Sequence, residues 1–158
     1  MDFLRIAILM AHPILSIMLI WAFMRQRSWR REKTHLRQNE KAAAIREHEK
    51  TGNRIMGYLL LVIAVAFASR IIDSIIRGDE LTDASKQLMP GHYHGWAGIL
   101  ALLLMSNLWY LGRKTSRSRD DSDAFSRTRN LHGRLGDVMA ILVIIHAFLG
   151  FLYLLQII

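Results

Sequence analysis

Seven histidines carry the chemistry this sequence offers: His12, His35, His48, His92, His94, His132 and His146. With no cysteine in the chain, disulfides, thiolate zinc sites, iron–sulfur ligation and a thiol nucleophile are excluded. Five of the seven have a small residue four positions on, one turn along the same helical face: Ser16 after His12, Gly52 after His48, Gly98 after His94, Gly136 after His132 and Gly150 after His146. Small residues serve ordinary helix packing in membranes, but here they track the imidazoles. A flat macrocycle lying against a helix needs such a bare surface, with an imidazole nitrogen reaching its iron. Catalytic zinc would instead want three converging ligands around an open position, and these histidines are spread over four segments. Paired imidazoles from facing helices suit a six-coordinate b-type haem, and filling both axial positions favours electron transfer over oxygen binding.

The elements that must position these residues are visible as four apolar stretches: Ile6 to Met24, Ile55 to Ile76, Gly95 to Gly112 and Val138 to Ile158. Each is about 18–22 residues, enough to cross roughly 30 Å of hydrocarbon. A soluble four-helix bundle would show one apolar stripe per helix and a polar opposite face. Leu59 to Ala68 has no polar side chain on any face, so the expected fold is all-α, an integral membrane four-helix bundle. Its helices are expected at about 3–24, 42–77, 92–113 and 130–157, forming a single transmembrane domain over 1–158. Pro13 is expected to bend the first helix. That helix reads as retained rather than as a cleaved leader, because Arg25, Arg27, Arg30 and Arg31 follow it where a small-residue cleavage site would stand. Glu40 to Lys50 is rich in good helix formers and should carry the second helix beyond its apolar part. Ser116 to Ser126 reads as a solvated turn.

Charge sets the expected orientation. Of 21 Lys and Arg, ten lie between Arg25 and Arg54 and seven between Arg113 and Arg134, in connections that share one side when the chain crosses four times. The positive-inside rule puts both in the cytoplasm and both termini on the other side, in a plasma membrane or an internal energy-transducing membrane. The net charge of +8 is thus a topology signal. The basic loops carry only Trp29 and Phe125 as aromatics, too few for nucleic-acid binding, and membrane lipid is the expected neighbour.

His48 and His132 stand at the cytoplasmic starts of the second and fourth helices and can share an inner haem, with Arg54 and Arg134 near enough to hold its propionates. For an outer haem the candidates are His12, His94 and His146; counted in helical rise, depth favours His12 with His146. The step from His132 to His146 spans about 21 Å on nearly one face, a reach that suits two stacked haems. Arg70 and Asp73 lie three apart toward the outer side, readable as an intrahelical ion pair or, for Arg70, as a propionate partner.

These segments resemble the cytochrome b561 family. His12-Pro13 resembles the His-Pro that opens the family's first core helix, and His48 with Gly52 stands at the second ligand behind a basic loop. His94-Gly95-Trp96-Ala97-Gly98-Ile99-Leu100 resembles the His-Ser-Trp-x-Gly-Ile pattern of the third helix, and His132 before Gly136 the fourth. The resemblance spans about residues 8 to 155 and is closest to short four-helix prokaryotic relatives that lack two flanking helices. It implies two b haems, with His12 and His94 as iron ligands of one and His48 and His132 of the other. His146 is left to hydrogen-bond a propionate or to replace His94. It also implies a transmembrane electron-transfer oxidoreductase, moving single electrons between a donor and an acceptor such as a quinone, an ascorbate-like reductant or a redox protein, with Arg46, Lys50 and Arg134 placed to bind the donor. Two other readings stand beside it: a haem- or tetrapyrrole-binding accessory subunit of a larger membrane complex (a homodimer being another setting), and a haem-free helical scaffold.

Overall fold

A computed structural model describes residues 3–32, 37–78, 89–118 and 122–157. They form four helices and, among the described residues, no strand: α1 (Phe3–Glu32), α2 (Gln38–Ile76), α3 (Tyr93–Arg117) and α4 (Ser122–Ile157). All four are long and apolar enough to cross a membrane, over Phe3–Trp29, Glu40–Ile76, Tyr93–Arg117 and Phe125–Gln156. That is the signature of a multi-pass integral membrane protein. The buried core is small and lies toward the basic connections: Phe23, Ile55, Ala101, Met105, Leu108, Met139 and Ala140. Outside it the helices show apolar side chains to their surroundings, with Ile17 68% and Ile141 63% exposed. Each such side chain in water would forfeit about 1.5–3 kcal/mol; lipid removes that cost.

Helix ends follow local chemistry. The Glu40 carboxylate accepts from the Arg37 backbone N–H at 2.9 Å and opens α2, four residues before the expected start. His92 caps α3, its Nδ1 accepting from the Gly95 N–H at 3.1 Å. Gly78, at φ +83°, ends α2 in the left-handed region that glycine adopts without strain. Three further boundaries differ from expectation. α1 runs on to Glu32 through its arginines, α3 ends at Arg117 and α4 begins at Ser122, so most of the expected Ser116–Ser126 turn is helix. Polar composition says where apolar burial ends, whereas a helix continues as long as its hydrogen bonds do. α1 also remains one helix across Pro13, although the proline cannot donate to the Leu9 carbonyl.

α1 packs most closely on α2 and α3 on α4; lighter contacts of α2 with α3 and of α1 with α4 close a square. Consecutive helices are therefore neighbours, while α1 and α3, and α2 and α4, face each other across its diagonals. His35 and the acidic and basic residues Asp79, Glu80, Asp83 and Lys86 lie outside the described residues.

Candidate functional site

The histidines meet at both ends of the bundle. At the end bearing the basic connections, His48 of α2 faces His132 of α4 with ring centroids 6.4 Å apart and planes at 82°. At the opposite end His12 of α1 faces His94 of α3 at 6.1 Å and 68°. Each pair spans one diagonal of the square.

The remaining ring nitrogens are tied down within hairpins. A carbonyl can only accept, so each imidazole donates through Nδ1: His132 to the Leu108 carbonyl at 3.0 Å, His94 to the His146 carbonyl at 3.1 Å, and His12 to the Val62 carbonyl at 3.4 Å. In a neutral ring, donation at Nδ1 leaves the lone pair on Nε2. His48 is held otherwise, by Trp29 stacked on its ring at 4.4 Å. Gln26 Nε2 donates to the His48 carbonyl at 2.6 Å and ties α1 to α2 there.

This explains the small residues. The Cα–Cβ bonds of a helix lean toward its N-terminus, so the side chain at i+4 covers the carbonyl of residue i. His132 bonds the Leu108 carbonyl, and the residue four on is Gly112. His94 bonds the His146 carbonyl, and the residue four on is Gly150; His12 bonds that of Val62, followed by Ala66. A Cβ at Gly112 would stand 3.2 Å from His132 Cε1, and one at Gly150 would stand 2.8 Å from His94 Cε1. In the same manner Gly98 lies under His146, 3.2 Å from Cε1, toward the His94 carbonyl. At Gly98, Gly112 and Gly150 the small residue thus serves the imidazole of the facing helix, whereas Ser16 Oγ stands 3.5 Å from Nε2 of His12, four positions before it. Gly136 meets Leu108 and Gly52 meets Gln26, both at ordinary contact distance.

His146 stacks on His94 at 4.1 Å, and its Nδ1 is buried. The depth ruler put His146 opposite His12, and the structure puts His94 there with His146 beside it. A ruler along each axis misses which residue faces the diagonal.

Arg70 also departs from the ion-pair reading. Asp73 is 6% exposed and held by Arg5 of α1 and, at 3.3 Å, by Arg77. Arg70 instead reaches His92 Nε2 at 3.3 Å, and the His92 ring stacks on Tyr153 at 3.8 Å. Burial, with the Arg70 guanidinium and His94 beside it, holds the His92 imidazole below its ordinary pKa. At the basic end Arg27 grips one oxygen of Asp137 at 2.9 and 3.1 Å. Arg54 lies 3.9 Å from Glu47, and Arg134 is exposed.

Sequence reasoning missed Gly112, Trp29, Tyr153 and Arg5. Gly112 had a signal: it stands eighteen residues, about five turns, after His94 and so on the same face. Comparison with protein families, with curated proteins and with solved structures finds no match to this chain.

Proposed function

We propose that this chain is a b-type di-haem membrane cytochrome, resembling the cytochrome b561 family, that moves single electrons across the bilayer between a donor and an acceptor at opposite faces. The observation that carries the reading is the two diagonal imidazole pairs. An imidazole nitrogen binds a first-row metal at about 2.0 Å, so two imidazoles on opposite sides of one ion have centroids roughly 6.3 Å apart; the pairs stand at 6.1 and 6.4 Å. The donor set fits the group as well. His94 and His132 leave Nε2 for a metal because Nδ1 is committed to a carbonyl, the usual outer support of a ligating histidine, and His12 does the same with Ser16 Oγ 3.5 Å from its Nε2.

Such a pair would hold haem, and the group would supply one-electron redox chemistry that needs no open coordination position. The chain's own residues hold the geometry. Trp29 fixes the plane of His48, the Leu108 carbonyl fixes His132, and the His146 carbonyl fixes His94. Arg70 at one end, and Arg54 and Arg134 at the other, are cations suited to propionate carboxylates. The positive-inside rule assigns the basic end to the cytoplasm.

The same imidazole–carbonyl bonds also cross-link helices, and this favours the haem-free scaffold as the second reading. A reduced-minus-oxidised visible spectrum with haem quantitation on detergent-purified protein separates the two. The cytochrome reading expects about two b haems per chain, one lost in His48→Ala or His132→Ala and the other lost in His12→Ala and reduced in His94→Ala. A colourless protein from cells with ample haem leaves the scaffold.

A further inference from the structure

A second kind of site lies on the outer face of α3, away from the diagonals. Its last turns bear Tyr110, Arg113, Lys114 and Arg117 at spacings of three, four and seven, which puts them on one face. With Trp109 they line a groove of about 420 Å³. Trp109 is fixed at both of its surfaces: Nε1 donates to Asn53 Oδ1 of α2 at 2.8 Å, and the Arg113 guanidinium lies 5.0 Å from its ring centroid. All three cations are exposed and none pairs with a described carboxylate. Elsewhere at this end Arg27 and Arg54 do have acidic partners.

The face continues into the apolar segment. Trp96, Leu103 and Tyr110 recur every seven residues and are all more than half exposed, with Ile99 and Leu100 beside them. Trp96 and Tyr110 are about 21 Å apart along the axis, so aromatic side chains bracket an apolar track and the cations lie just past one bracket. The C-terminal end of a helix also favours positive side chains, so nothing in α3 opposes their clustering.

We propose that this face is a binding site for one anionic phospholipid, its phosphate held by Arg113, Lys114 and Arg117 and its acyl chains laid over Leu103, Leu100 and Ile99. Charge complementarity selects the headgroup. The adjoining apolar track selects a lipid over a small anion, which has nothing to place there. The site does not depend on haem.

Native mass spectrometry of the full chain from a neutral detergent, supplied with phosphatidylglycerol, phosphatidylcholine or inorganic phosphate, tests it. The expected result is one retained phosphatidylglycerol per chain, not displaced by phosphate and preferred over phosphatidylcholine. In Arg113→Gln/Lys114→Gln/Arg117→Gln retention should fall by about a hundredfold, each basic residue contributing about fivefold. The charge-matched Lys41→Gln/Arg127→Gln/Arg129→Gln variant should keep the lipid, and circular dichroism checks that both variants are helical. Equal retention of the two lipids, equal loss in the two variants, or displacement by phosphate would each overturn the proposal.

Discussion

At the basic end of the bundle His48 and His132 face each other as a pair, braced by Trp29 and by the Leu108 carbonyl. At the opposite end His12 and His94 are accompanied by His146, stacked on His94, and by His92, stacked on Tyr153. The ion pairs differ too. Asp73 is buried between arginines of α1 and α2, whereas Arg27 and Asp137 are 36% and 47% exposed in their side chains. One end thus has a single way to present two imidazoles, and the other has a spare ring. The second also depends on a desolvated charge.

The largest contrast should appear in cofactor content. On the proposed function, His48→Ala or His132→Ala removes one haem of two outright. His94→Ala retains a fraction of the other because His146 lies within ring contact of the vacated position, and His94→Ala/His146→Ala loses it. Pyridine haemochrome quantitation reads this, and identical losses at the two ends would erase the distinction. Next comes Asp73→Ala, which removes the carboxylate that joins Arg5 of α1 to Arg77 of α2 and should cost about 1.5–3 kcal/mol in the unfolding of detergent-solubilised protein. Asp137→Ala should cost about 0.5 kcal/mol, in keeping with an exposed pair. Gly150→Ala forces a Cβ against His94 and should destabilise by about 1–3 kcal/mol despite the better helix propensity of alanine. An effect of opposite sign belongs to Gly57→Ala: no atom outside its own helix backbone lies within 4 Å of the added Cβ, so helix propensity should raise stability by a few tenths of a kcal/mol, about 0.3.

Much of this architecture was legible before any coordinates. The four apolar runs are written in composition, and the histidine-to-small-residue spacing stood out in the letters. What the spacing did not carry was its direction. Gly150 follows His146 in sequence but accommodates His94, because the contact belongs to two antiparallel helices and only their packing says which faces meet. Asp73 illustrates the same gap. Arg70 and Arg77 are near it in sequence, yet Arg5, sixty-eight positions away, takes one of its oxygens. Helix ends in polar sequence were missed for a different reason: α4 extends through Ser122–Asn130 on hydrogen bonds that hydropathy does not register.

The carbonyls of Val62, Leu108 and His146 each accept an imidazole N–H in addition to the helical amide four residues on. A carbonyl with two donors is more strongly polarised than its neighbours along the helix, and its stretching vibration is displaced to lower frequency. These three peptide groups are therefore built-in reporters. A single ¹³C label at Leu108 gives an infrared band that senses whether the His132 ring is still in place, independently of any colour the protein carries. It also separates displacement of that ring from melting of the helix that bears the label.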